Sequence, residues 1–307
     1  MMKRLFPYVM IAFGASLWGI IAIFVKGLGE YGFTAMEIVA IRVISAAIFL
    51  IVIGFARFRN QLKLKTPVDI RLFAGTGILS IVFFNYCYFT TINQINVSMA
   101  VILLYTAPAF VTVLSFLFLK EKVDIKKIAA VAGTIMGCIL IAGMTAGDSK
   151  ITFLGILTGL GSGIGYALYT IFGKFALKKY HPFTVTLYTF LVAAAALIPV
   201  TRLWKKAELF LTADVLLLSI GLGLVPTVLA YFVYTWGLEQ TEGSKAAVIA
   251  TVEPVVAMLL GVSLYGESLG IIQVAGALLI LSSVVIVNLP SKRKNNGIFS
   301  ESQKLEH

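Results

Sequence analysis

Residues 94–129 and 240–275 of this chain are copies of one segment. At a constant offset of 146, Gln94 meets Gln240, Ser98 meets Ser244, Ala100 meets Ala246 and Pro108 meets Pro254. Further along, Leu114, Glu121, Ile125 and Ala129 meet Leu260, Glu267, Ile271 and Ala275. That makes eight identities in 36 gapless positions. Apolar composition produces some such matches by chance. It does not readily place a Pro and a Glu thirteen residues apart in both copies. Duplicated halves of this kind point to the architecture of secondary transporters.

The copies sit in a chain that is 59% hydrophobic and 13% charged, whereas a soluble domain carries about 25% charge. Apolar runs of roughly 20 residues recur, each long enough to cross a ~30 Å hydrocarbon core. No water is available there for backbone groups, so these runs must be helices. The predicted spans are 6–27, 34–55, 70–91, 98–119, 125–145, 151–173, 183–202, 212–236, 244–265 and 270–289. The fold class is all-α integral membrane, with ten transmembrane helices. Lys3 and Arg4 precede the first run as in a signal peptide, but no convincing cleavage site follows, and the run reads as a retained helix. The end, Leu305-Glu306-His307, reads as the start of an expression-tag scar. Cys87 and Cys138 both fall in apolar runs and read as small apolar fillers.

Charge sets the orientation. With the N-terminus inside, the inside segments hold 19 Lys and Arg and the outside segments 5, with Arg42 inside a span. The positive-inside rule then places both termini in the cytoplasm, in a membrane expected to be the bacterial cell (inner) membrane. The net charge of +11 needs no nucleic acid to explain it. One cluster breaks the rule: Arg202, Lys205 and Lys206, accompanied by Glu208 and Asp214. Residues 1–146 and 147–290 each carry five spans, followed by a polar tail, 291–307. Five is odd, so two copies of the unit in one chain have opposite topology. The expected result is two inverted five-helix repeats about an axis in the membrane plane.

Ser16-Leu17-Trp18-Gly19, Arg42 in the second span and the paired Pro-to-Glu stretches carry a resemblance. The chain resembles the drug/metabolite transporter superfamily, specifically the EamA family of ten-helix carriers. Glu253-Pro254 through Gly266-Glu267 is most similar to the family pattern. The first copy has Lys120-Glu121 where Gly-Glu is usual, a departure with no functional consequence expected. The resemblance implies a central cavity lined by helices 1, 3, 4, 6, 8 and 9, with helix 2 toward the periphery. It also implies export of amino acids and related metabolites as a common role.

Charges deep in a span cost ~2.5–3.5 kcal/mol on insertion scales, and Glu253 and Arg42 are the two deep ones. Glu253 reads as an acceptor for a substrate ammonium or a coupling proton, because burial disfavours the charged carboxylate. The alternative is a structural ion pair, with Arg42 as one candidate partner. Arg42 reads as structural, or as a group that recognises a substrate carboxylate. Pro108, Pro254 and Pro226 each remove a helical hydrogen bond, giving a fixed kink or a hinge. Asn85 and Tyr88 share a helical face, and at the same offset meet Tyr231 and Tyr234. With Trp18, Tyr86, Tyr105 and Tyr166 they could line an aromatic, hydrogen-bonding pathway suited to aromatic or cationic solutes. The alternative for each is interhelical packing or an interfacial belt. Glu121 and Glu267 end their spans and read as structural helix-end groups. The glycines of span 6 read as close helix packing.

No Walker motif, HExxH, Cys–His arrangement or deep pair of acids is present in the sequence, so neither an ATP engine nor an enzyme is indicated. No cofactor or metal is expected. The expected partners are a small-molecule substrate and the lipid bilayer, with a coupling proton as a candidate; the oligomeric state is unassigned. The reading is a secondary-active carrier of small organic metabolites, with outward direction implied by the family resemblance alone. The alternatives are a facilitative importer or exchanger of organic cations, amines or nucleosides, a channel, or an intramembrane enzyme.

Overall fold

The computed structural model describes residues 2–142, 152–266 and 270–289. Glu267, the tail and its tag-like end lie outside the described residues. Among the described residues the chain is helical without strands. Ten helices are long and apolar enough to cross a membrane. They are α1 (Leu5–Glu30), α2 (Ala35–Arg57), α3 (Pro67–Gln94), α4 (Val97–Leu119) and α5 (Ile125–Ala142). The second set is α6 (Phe153–Leu177), α7 (Pro182–Thr201), α8 (Ala213–Glu239), α9 (Gly243–Tyr265) and α10 (Ile271–Asn288).

Polar residues in the short connections start these helices. Thr34 and Glu37 form a reciprocal capping box at α2, which satisfies two backbone donors that the first turn leaves free. Asn96 caps α4 by accepting from the Met99 amide at 2.8 Å. His181 caps α7, followed by Pro182 in the first turn, where its missing N–H costs nothing.

The repeat extends to the irregularities of the backbone. α4 is two half-helices, Val97–Leu104 and Ala107–Leu114. α9 is broken at the matching place, into Gly243–Ala250 and Val252–Tyr265. Pro108 and Pro254 therefore stand in the first turn of the second half-helix, where a proline removes no hydrogen bond. This corrects only the expected loss of a helical hydrogen bond; both prolines stand at the break between the half-helices. The threonine hydroxyls at the breaks bond back into the preceding half, Thr106 to Leu103 O and Thr251 to Val248 O, each at 2.6 Å. α3 and α8 carry π-helical stretches, Gly75–Val82 and Leu224–Leu229, which overlap when shifted by the same offset. Pro226 lies inside the second one, which absorbs its missing donor.

Lys120 (φ 58°) and Gly266 (φ 66°) both take the left-handed conformation, again 146 residues apart. Glycine adopts it freely; a side chain there is strained. The Lys-for-Gly departure noted in the sequence thus carries a backbone cost.

Packing obeys the same exchange of halves. α1 packs on α8 as α6 packs on α3; α1 packs on α9 as α6 packs on α4; α2 packs on α7, and α5 on α10. The α5–α10 crossing is close. A Cβ on Gly137 would stand 2.7 Å from Gly276 O. In a membrane, where lipid is as apolar as a side chain, such small-residue contacts supply the packing. Cys87 and Cys138 are buried and free, in keeping with a filler role.

Candidate functional site

The two helix breaks bring the candidate residues together. Glu253 lies in the first turn of the second half of α9, where the amide end of a helix favours a carboxylate. Its counterpart in α4, Ala107, is apolar. α1 approaches this turn through Gly19, where a Cβ would stand 3.0 Å from Glu253 O. Tyr105, at the α4 break, is close enough to interact with the Glu253 carboxyl. Tyr88, Tyr166, Tyr231 and Cys138 are near enough to feel its charge.

Beside it is an aromatic cluster. The Trp18 ring lies 4.8 Å from Tyr234, 4.9 Å from Tyr231 and 6.3 Å from Tyr166. Trp18 is 6% exposed, and its indole N–H is buried without an acceptor. A cavity of about 20 Å3, lined by Trp18, Tyr166, Tyr231 and Tyr234 among others, lies within the cluster. That is room for about one water; ligand pockets run to ~300–1,000 Å3. A second crevice, too narrow for a water, runs along Tyr105, Pro108, Tyr166 and Thr251. The two share Tyr166.

Arg42 is 6% exposed, so α2 brings it into the interior rather than holding it at the periphery. Its charge couples to Glu253 and to Tyr231. It makes no ion pair among the described residues, and its Nε and one Nη are buried without partners. The alternative of a Glu253–Arg42 ion pair is not found among the described residues. The two opposite charges interact without an ion pair.

Two predicted residues fall elsewhere. Tyr86 is 58% exposed on the outer, apolar surface of α3. Asn85 is buried, but its amide donates to Ile81 O of its own helix at 2.7 Å. Tyr169 belongs to the cluster and was missed. Its ring lies 5.2 Å from Tyr231 and its hydroxyl is 2.7 Å from that of Thr235. The signal was present: Tyr169 is three residues after Tyr166, on one helical face.

Glu121 holds a second polar centre, at one end of the bundle. It is more than a helix-end group. Its carboxylate accepts the Gly243 amide at 2.6 Å, the Ser244 amide at 3.1 Å and the Ser244 hydroxyl at 2.6 Å. It thereby caps α9 from the opposite half of the chain. Lys127 is 4% exposed and lies 3.8 Å from Glu121 and 3.1 Å from Glu242. Partial desolvation works against the charge of the exposed Glu242, but the Lys127 hydrogen bond and the Lys127 and Lys245 charges hold its carboxyl below the ordinary value. Lys174 caps the other side of the turn, donating to Leu238 O at 3.1 Å and Thr241 O at 2.9 Å. At this end the second half of α4 packs on the first half of α9, while the remaining halves of these helices share no comparable packing.

Comparison with known proteins places this geometry in a lineage. The EamA-like transporter family matches residues 5–143 and again 153–289. An uncharacterized transporter of Archaeoglobus fulgidus is 30% identical over 276 residues, covering 90% of this chain and 94% of the relative. The uncharacterized transporter YwfM of Bacillus subtilis is 30% identical over 210 residues, 67% of this chain and 70% of the relative. A solved protein crystal structure superimposes with a TM-score of 0.76 at 18% identity, covering 92% of this chain and 96% of that one; it shares the fold. With ten membrane-crossing helices and this match along both halves, the chain belongs to the EamA-like transporter family, within the drug/metabolite transporter superfamily, and is an integral membrane transporter.

Proposed function

We propose that this transporter is a secondary-active exporter of amino acids or closely related zwitterionic metabolites, working by alternating access. One observation carries the reading. Arg42, buried, and Glu253, half-buried, carry opposite charges that interact without forming an ion pair among the described residues. A zwitterion supplies an ammonium for the carboxylate and a carboxylate for the guanidinium, which forks onto two oxygens at once. The surrounding rings of Trp18, Tyr166 and Tyr231 suit an apolar or aromatic side chain and an ammonium alike. Glu253 also serves as the group that takes up a coupling proton when substrate leaves. The Glu121–Ser244 contact supports a state closed at that end, and the single-water cavity supports an occluded centre that must rearrange to admit a solute. We assign the closed end, both termini and the Lys-rich connections to the cytoplasm of a bacterial cell (inner) membrane. The aromatic surround and the single carboxylate favour one second reading, transport of organic cations or amines.

Counterflow in proteoliposomes tests both. Zwitterionic amino acids should exchange saturably, and Glu253→Gln and Arg42→Gln should each abolish exchange. If Arg42→Gln leaves counterflow intact while amines without a carboxylate exchange as well, the second reading replaces the first. If Glu253→Gln retains full transport and pH dependence, the role given to Glu253 fails.

A further inference from the structure

A crevice of about 510 Å3 lies away from Glu253, between α2 and α8 and beneath the connecting segment Leu203–Leu211. Ile41, Ile44 and Ile48 line one wall, Leu216 and Ile220 the other, and Phe210 and Trp204 the segment above. Ile48, Leu216, Ile220 and Trp204 remain exposed, so the crevice opens on the apolar outer surface. The Ser219 hydroxyl on its wall is spent on Val215 O at 2.7 Å. The interior is thus suited to hydrocarbon.

The repeat shows that this volume is left open in one half and filled in the other. Counted from the helix caps Thr34 and His181, Ile41 and Tyr188 are both the seventh residue. Tyr188 fills the corresponding space. Its ring lies 5.2 Å from Phe73, and its hydroxyl donates to Leu62 O at 2.7 Å, fastening the α2–α3 connection onto α7. Thr184 adds a bond to Gln61 O at 2.7 Å. Ile41 has neither the ring nor the hydroxyl; Leu203 and Phe210 pack on the cluster that contains it, and the crevice remains open beside them.

Charge marks the rim. Leu203 and Trp204 line the crevice, and their sequence neighbours Arg202 and Lys205 are exposed. Lys206 is engaged by Glu37 at 2.7 Å, and Asp214 by the Tyr31 hydroxyl at 3.0 Å. Glu208 is also exposed on the segment, so Arg202 and Lys205 outweigh it. These are the cations that break the charge bias of the connections. Trp204, 57% exposed, is the residue type that anchors at the headgroup level.

We propose that this crevice is a specific site for an anionic phospholipid, with one acyl chain between α2 and α8 and the phosphate on Arg202 and Lys205. The apolar walls take a chain that lipid would otherwise hold, and the two cations select the headgroup. The site is separate from the solute pathway.

The test uses the full chain in nanodiscs of phosphatidylcholine with or without phosphatidylglycerol, followed by native mass spectrometry of the lipid retained. Phosphatidylglycerol should be retained over phosphatidylcholine by roughly tenfold. Arg202→Gln with Lys205→Gln, both at exposed positions, should erase the preference. Ile41→Tyr, which copies the filling residue of the other half, should lower retention of both lipids, with Ser45→Phe as a second filling variant if the first fails to fold. Inorganic phosphate should not compete. Equal retention of the two lipids by the unaltered protein, undiminished phosphatidylglycerol in a folded filling variant, or displacement by phosphate alone would each overturn the proposal.

Discussion

The Glu121 carboxylate sits 2.6 Å from the Ser244 hydroxyl and accepts the backbone amides of both Gly243 and Ser244. A residue at the end of α4 thus supplies the N-terminal cap of α9, and the cap joins the two halves of the chain. Lys127, buried against the same carboxylate, adds charge to the joint.

Removing that cap should be costly. Glu121→Ala leaves two buried amides and the Lys127 ammonium short of a partner, a loss of about 2–4 kcal/mol. Glu121→Gln, which keeps one acceptor, should lose less. Thermal unfolding in detergent reads the difference; equal melting of both variants with the parent protein would refute the cap.

The same end should weaken in acid. The Glu242 carboxyl, despite partial desolvation, is held below its ordinary value of 4.5 by Lys127 and Lys245. A group depressed on folding contributes stability above its unfolded value, and loses it as pH falls through the folded one. The loss should therefore fall below pH 4.5. Glu242→Gln should flatten that limb of the stability–pH profile. A profile unchanged by the substitution would show that Glu242 does not carry the effect.

Lys120 holds a left-handed backbone that its repeat partner meets with glycine. Lys120→Gly should stabilise the protein by about 0.5–1 kcal/mol, the relief of strain less the extra freedom of glycine in the unfolded chain. Lys120→Val should destabilise it. A lower melting temperature for the glycine variant would contradict the strain.

Two tyrosines on the candidate pathway separate by position. Tyr105 reaches Glu253, whereas Tyr86 faces outward. Tyr105→Phe removes the hydroxyl that interacts with Glu253 and should slow counterflow by roughly tenfold. Tyr86→Phe should leave it unchanged. Comparable losses in both would remove Tyr105 from the site.

Much of the architecture was legible in the chain itself. Apolar runs of spanning length must be helices in a membrane, and their odd number per copy implies opposed halves. The paired prolines marked the places where α4 and α9 divide. The charge of Glu253 against Ala107 marked where the halves differ chemically. Tertiary structure decided which side chains meet. In a soluble helix the apolar stripe reports the buried face. Here lipid and core are both apolar, so periodicity cannot tell Tyr88, near Glu253, from Tyr86, facing out. For the same reason the Lys127 joint and the open crevice beside Ile41 had no sequence signature. Each depends on which helix lies opposite, and on whether a residue from the distant half fills the space.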